Sequence, residues 1–475
     1  MEHLSAAELS RDIKSRKVSC VELMQDTLDR IARLNPGVNA IVNLAEAEPL
    51  LAEAKAADQA LGKGEYRGWM HGFPHAVKDL ANVRGFVTSF GSPLYKTNVA
   101  LQDDLAVQRI RQQGAIFIGK TNVPEFGLGS QSYNPVHGAT ANAFNPTLTA
   151  GGSSGGAATA LALGLLPVAD GSDMMGSLRN PAGFNNVIGF RPGLGRVPAR
   201  TPELFFDQLA TAGPMGRTVE DVSLLFATLA GFDSSAPLST QAVLAPLPAK
   251  RAAKRPAAAA EFKVGWLADY GGYLPMEDGV LDLCAQSLQR LDTAGMNVAP
   301  VDLDFPMASL WQSWLSLRQW KNANGYGPLY DDQQQREHLK PELIWEIEQG
   351  IGMSAVELYK ACSVRSDWYR LINKTFQDFD ILALPSAQVF PFSIEQHWPV
   401  EISGKSMDTY HRWMEVVIGG SLCGCPVISL PAGFDALGRA MGIQFMAPMG
   451  EDEKLLQFAL CYEQINPWAQ HYAAL

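Results

Sequence analysis

The sequence predicts an α/β layered protein built around one large unit. Short apolar strands such as Ala115-Ile116-Phe117-Ile118-Gly119 alternate with helical stretches such as Asp104 to Gln113. The chain has 475 residues, 47% of them apolar, which is enough to bury a sizeable core. One enlarged α/β domain with an insertion accounts for this length better than three separate domains.

Taken in order, Ser5-Ala6-Ala7-Glu8 and Ser19-Cys20-Val21-Glu22 both have capping-box spacing. The first forty residues therefore read as two amphipathic helices ending near Asn35-Pro36-Gly37, within a helical amino-terminal region spanning 1–60. Their apolar faces would suit a homodimer. The stretch from Ala157 to Ala169 is apolar and alanine-rich and reads as a buried helix. Residues 232–260 are rich in Pro and Ala and carry Lys250, Arg251, Lys254 and Arg255, so they read as an exposed, mobile linker. Beyond it come a strand over Phe262–Leu267, a helix near Leu281 to Ala294 and a strand around Val298 to Leu303. Residues 304–373 are rich in Trp, Tyr, Gln and charge and read as largely helical, and Leu382-Ala383-Leu384-Pro385 marks a return to the central sheet.

A net charge of −11 with no basic run excludes nucleic acid as a partner. The amino terminus lacks a basic start with an apolar core, and the longest apolar run is too short to span a bilayer, so a cytoplasmic protein with no membrane partner is expected. Six cysteines are scattered, as expected for reduced thiols. Cys423-Gly424-Cys425 has no second Cys/His pair at zinc spacing, so no metal site is expected there. No dinucleotide or phosphate fingerprint is present, and no cofactor is expected.

Two glycine-framed serines carry the chemistry: Ser153 in Gly-Gly-Ser-Ser-Gly-Gly and Ser177 in Gly-Ser-Asp-Met-Met-Gly-Ser-Leu-Arg. Glycine beside serine lets the backbone turn sharply and lets a substrate carbonyl approach main-chain N–H groups, which acyl transfer requires. An isolated Gly/Ser cluster is usually a flexible loop, but this one opens a helical stretch, where backbone donors converge on an anion. The Gly-x-Ser-x-Gly pattern of α/β-hydrolases is matched twice, at Ser153 and Ser154. That elbow needs a strand before it, whereas Asn145 to Ala150 reads as turn and loop. His338, His397, His411 and His471 follow in an order such a triad could use, yet none has a distinctive setting.

The segment Gly151 to Gly156, followed by Gly171 to Ala182, resembles the core of the amidase signature family. Phe73 to Asp79 is similar to that family's strand ending in Lys-Asp, and Gly119-Lys120-Thr121-Asn122 to its Gly-Lys-Thr-Asn segment. Gly213 to Asp221 and Gly424 to Gly433 resemble later landmarks in the right order, so the likeness covers nearly the whole chain. The resemblance implies a large mixed sheet covered by helices on both faces, with 70–220 as the signature core and 304–373 as the variable region that covers the site.

It also implies Ser177 as the acylated nucleophile, Ser153 as a bridging serine after a cis peptide bond, and Lys78 as the base. A lysine can serve as a base only if burial keeps it neutral, and Lys78 ends an apolar run, where that is plausible. Taken alone, it reads as a surface lysine beside Asp79. The family's oxyanion hole corresponds to the backbone N–H groups of Met174, Met175, Gly176 and Ser177. Where the family more often has two glycines before the serine, this chain has Met175-Gly176, so Met175 is expected to bear a torsion glycine would accept more easily. Met174 and Met175 either narrow an acyl pocket or fill gaps in a core. Asp173 and Arg179 read as structural ions holding the loop. Gly129, Ser130 and Gln131 correspond to the family's acyl-pocket segment and are candidate substrate contacts, as are Arg318 and Lys321, with Trp311, Trp314 and Trp320 beside them.

The leading expectation is an amidohydrolase releasing ammonia or an amine from a small-molecule amide without a cofactor. One alternative is hydrolytic deamination of an aminomuconate-type unsaturated amino acid in aromatic degradation, which would need cations for its carboxylates. The other is a glutaminase-like amidotransferase subunit that depends on a partner protein.

Overall fold

Serine caps start the first two helices. Ser5 Oγ accepts the Glu8 N–H at 3.1 Å while the Glu8 carboxylate accepts the Ser5 N–H at 2.8 Å, and Ser19 and Glu22 repeat both bonds at the same distances. In this computed structural model, which describes residues 4–241, 262–468 and 471–473, these caps open α1 (Ala6–Lys14) and α2 (Cys20–Val38). Helix α2 runs through Pro36 and stops where Asn39 turns left-handed. The apolar face of α1 (Ala6, Ala7, Leu9, Ile13) is buried within the chain, and the Ala7 N–H donates to Asp221. That face is therefore already covered, which removes the reason for expecting a dimer through it.

After β1 (Ile41–Val42) and α3 (Ala47–Gly62), the chain enters β2 (Pro74–Lys78), then α4 (Leu105–Gln112) and β3 (Ile116–Thr121). These strands make a small sheet in the order β1-β3-β2, with β2 parallel to β3 and a register shift after His75. All five residues of β2 are buried, so the strand delivers Lys78 into the interior. A short hairpin, β4 (Tyr133–Asn134) and β5 (Gly138–Ala139), precedes α5 (Gly155–Ala162).

The helix expected over Ala157–Ala169 is shorter than its composition implies. Gly164 takes a positive φ and reverses the chain, and Ala169 already belongs to β6 (Ala169–Asp173). There follow α6 (Arg179–Phe184), β7 (Ile188–Arg191), β8 (Thr211–Gly216), α7 (Val219–Leu229), β9 (Lys263–Trp266), α8 (Val280–Thr293) and β10 (Asn297–Pro300). Residues 304–373 are largely helical, as expected: α9 (Met307–Asp331), α10 (Gln333–Arg336), α11 (Pro341–Ile351) and α12 (Ala355–Thr375). The chain closes with β11 (Ile381–Pro385), a small hairpin of β12 (Glu401–Ile402) and β13 (Lys405–Ser406), α13 (Ile418–Cys423), β14 (Val427–Phe434), β15 (Ala440–Met446) and α14 (Asp452–Ile465).

The large sheet has eight strands in the order β10-β9-β11-β15-β14-β7-β8-β6. It is mixed: β10, β9 and β11 run parallel, and every later neighbour pairs antiparallel. Helices α5, α6, α7, α8 and α14 pack around it. Of the expected linker, 242–260 lies outside the described residues. The part before it is anchored: the Thr240 N–H donates to Gly195, and Arg109 donates to the carbonyls of Gly231 and Phe232. Among the described residues, no helix is long and apolar enough to cross a membrane.

Candidate active site

Three segments distant in sequence meet at the end of β2. Lys78 Nζ lies 2.9 Å from Ser153 Oγ, 2.8 Å from Ser154 Oγ, 3.1 Å from Ser172 Oγ and 3.2 Å from the Ser172 carbonyl. The Gly152–Ser153 peptide is cis, as the resemblance implies. Burial lowers the Lys78 amine from its ordinary 10.5 to about 7, against the opposing pull of Asp170 and Asp173. A neutral amine has two N–H donors and one lone pair. With one N–H on the Ser172 carbonyl and the other on a neighbouring hydroxyl, the lone pair is left for a serine hydroxyl to donate to.

Asp79 does not pair with Lys78. It turns away and accepts from the N–H and hydroxyl of Ser89, with Lys120 and His137 beyond. The carboxylate near Lys78 is Asp170, which accepts the Lys78 N–H at 3.2 Å and meets His75 Nε2 at 3.0 Å.

The Ser177 loop is bound to the Ser153 loop by the Ser154 N–H, which donates to the Ser177 carbonyl at 3.1 Å. Among the described residues the Ser177 hydroxyl makes no hydrogen bond, and both Ser153 and Ser177 line one cavity of about 180 Å³. The positive φ of the loop falls on Gly176, at 78°, and not on Met175. Asp173 accepts the Gly176 N–H at 2.9 Å, so of the four expected oxyanion donors this one is already engaged. Among the described residues, the N–H groups of Met174, Met175 and Ser177 donate to no protein group.

The other cavity-lining residues include Leu80, Phe126, Gly129, Ser130, Met174, Met175, Ala210, Arg318, Lys321, Asn322, Tyr326 and His411. Both methionines thus face the cavity. Gln131 does not: its amide donates to the Ile394 carbonyl at 2.7 Å, which draws the side chain out of the wall. Trp311 and Trp314 are core residues, and neither they nor Trp320 line the cavity. Arg318 and Lys321 do, but both are paired, Arg318 with Glu346 at 2.6 Å and Lys321 with Asp207 at 2.8 Å.

Sequence reasoning missed Asp170, Asn322, Tyr326 and Glu346, and weighed Ser154 and His411 only as parts of an α/β-hydrolase triad. Asn322 could have been found by helical spacing, four positions beyond Arg318 on α9. His411 has no local signal, since only the tertiary fold brings it against α9.

The residues 22–456 match the amidase family model. The chain is 31% identical over 472 residues to an acylamidase of Rhodococcus erythropolis, covering 98% of this chain and 96% of the relative. It is 30% identical to one of the subunits of the glutamyl-tRNA(Gln) amidotransferase of Pseudomonas syringae pv. syringae, covering 98% of each. Among solved structures, a bacterial aryl acylamidase of the amidase signature enzymes superposes with a TM-score of 0.90 at 27% identity, over 99% of this chain and 98% of that one. The peptide amidase of Stenotrophomonas maltophilia does so with a TM-score of 0.79 at 25% identity, over 97% and 96%. A mixed eight-stranded sheet, a lysine buried among serines and likeness along nearly the full length agree, and the chain belongs to the amidase signature family of amidohydrolases acting on C–N bonds.

Proposed function

We propose that the chain is an acylamidase that hydrolyses amides of small, uncharged acyl groups through a Ser177 acyl-enzyme. The observation that carries this reading is the Lys78 amine, fully buried, 2.9 Å from Ser153 Oγ and with its pKa lowered to about 7. In the proposed step Ser177 Oγ attacks the amide carbonyl while its proton passes to Ser153, whose own proton passes to Lys78. The oxyanion is met by the N–H groups of Met174, Met175 and Ser177. On collapse the proton returns through Ser153 to the leaving nitrogen, the C–N bond breaks, and water then hydrolyses the Ser177 ester by the same relay.

The choice of an uncharged acyl group rests on the lining. Its cations Arg318 and Lys321 are each matched by a carboxylate, and the rest is apolar, aromatic or neutral polar. An aminomuconate-type substrate would bring carboxylates that find no unpaired lysine or arginine among the described residues of the lining, which favours amide hydrolysis over deamination. The acylamidase relatives support the same choice.

The test is amine or ammonia release from a panel of primary amides and N-acyl anilides by wild type and Ser177→Ala. Release should fall by at least about 10³-fold in the variant, and an acyl adduct should map to the Ser177 peptide in quenched reactions. Unchanged release in Ser177→Ala would overturn the reading. Release only in the presence of a partner protein would favour the amidotransferase role.

A further inference from the structure

One stripe of α9 turns inward: Trp311, Trp314, Arg318 and Asn322, at three- and four-residue spacing, are each no more than 4% exposed. Where this stripe meets His411 and α11, polar atoms accumulate without partners. Among the described residues, Asn322 Nδ2, both ring nitrogens of His411, Trp311 Nε1 and Glu346 Oε2 make no hydrogen bond. Asn322, His411 and Arg318 all line the cavity that holds Ser177. Among the described residues, Arg318 Nη1 has only a thioether to donate to, Met174 Sδ at 3.3 Å. Sulfur is a weak acceptor for a guanidinium N–H.

Folded proteins leave few buried polar atoms unpaired, and those of Asn322 and His411, two residues of one cavity wall, call for an explanation. Loose packing does not supply one: His411 is held between rings, with centroids 4.5 Å from Tyr410, 5.3 Å from Trp311 and 6.4 Å from Trp345. The wall offers three donors, the Asn322 Nδ2 amide, the Arg318 N–H on sulfur and one imidazole N–H, beside the lone pair of the other imidazole nitrogen. Its formal charge is balanced, because Glu346 sits 2.6 Å from Arg318 and the Tyr410 hydroxyl bridges both.

We infer that this wall is a subsite for an uncharged oxygen acceptor, an ether or carbonyl oxygen, carried on the acyl part of the substrate, with Asn322 and His411 as its specificity-determining residues. The inference rests on the reading of the Ser177 cavity as an acyl site. A substrate that brings the oxygen gives up to two of these donors an acceptor. One with a methylene in its place leaves them unmet, which is the strongest way a site rejects an isostere.

The experiment compares isosteric pairs differing by one oxygen: 4-methoxybenzamide against 4-ethylbenzamide, and methoxyacetamide against butanamide. Wild type should favour the oxygen member of at least one pair by about tenfold in kcat/KM, and Asn322→Leu and His411→Phe should each collapse that ratio. The same pairs are titrated into Ser177→Ala, where the Kd ratio should show the same preference. Absence of turnover by wild type on every amide would defeat the hydrolase reading, while the Kd ratio still decides the subsite. Equal values within both pairs, a ratio untouched in both variants, or tighter binding of 4-carboxybenzamide than of 4-methoxybenzamide would overturn the inference. Thermal unfolding checks each variant, and if one fails to fold, the other and the parent ratio decide.

Discussion

Asp173 and Arg179 form a buried bidentate pair, with Nε to Oδ2 and Nη2 to Oδ1 both at 2.9 Å and neither residue exposed. The same two carboxylate oxygens accept the N–H groups of Gly176 at 2.9 Å and Leu178 at 3.2 Å, one on each side of Ser177. Arg179 continues outward to the Val417 carbonyl, Gln444 and Ser421. The serine loop is thereby fixed to the large sheet through one ion pair. Burial alone would raise the Asp173 acid, but Arg179, Arg191 and the N–H donors outweigh it and hold it at about 2.

Asp173→Asn should destabilise the protein by about 3–5 kcal/mol, because it strands a buried guanidinium without its counter-charge. Urea unfolding measures this. Activity per folded molecule should fall as well, since Gly176 loses its tether. A variant as stable and active as wild type would mean that the loop is held by other contacts.

With Lys78 as the proposed base, its amine should set the acid limb of activity. A base must be neutral to accept a proton, so kcat/KM should fall about tenfold per pH unit below about pH 7, and level off above it. Asp170 favours the charged amine. Asp170→Asn keeps the hydrogen-bonding shape but removes that charge, so the limb should move to lower pH. A limb that stays put, or moves up, would show that another group titrates.

Gly176→Ala places a Cβ 2.9 and 3.0 Å from the two Val417 methyls and 3.1 Å from Met414 Cε, at a φ of 78°. The methyl is both strained and crowded, at a cost of about 1–3 kcal/mol. Because the strain falls between the N–H groups of Met175 and Ser177, kcat should drop by more than KM rises. A change confined to KM would place the effect in substrate binding instead.

The parts legible in the sequence are those in which local chemistry and local geometry coincide. Ser5-Glu8 and Ser19-Glu22 can be read as caps because a capping box is complete within four residues. The glycines around Ser153 and Ser177 announce tight backbone, and Lys78 follows an apolar run that becomes the buried strand β2. Asp170 leaves no local signal because its partners His75 and Lys78 lie more than ninety positions away. Gln131 misleads because a loop position does not fix the direction of a side chain, and here the Ile394 carbonyl decides it. His411 owes its place to the packing of α9 against the segment around Tyr410, which no spacing in either segment encodes.

A last prediction concerns stability away from the site, where α1, α7 and α14 meet. Burial raises the acid of Asp221 to about 6 and that of Glu463 to about 7, the latter helped by the negative charges of Asp221 and Glu220. Glu463 accepts the Val219 N–H at 3.1 Å and Asp221 accepts that of Ala7 at 3.0 Å. The folded protein therefore keeps these protons to higher pH than the unfolded chain, whose values are near 4.5 and 3.8. The associated stability is full below about pH 4 and is lost as the pH rises through 6 to 7. Glu463→Gln retains an oxygen for Val219 and mimics the protonated acid. It should match wild type in urea unfolding at pH 4.5 and exceed it at pH 8.5, by on the order of 1–3 kcal/mol. An equal difference at both pH values would show that folding does not raise the Glu463 acid, whether by burial or by the neighbouring carboxylates.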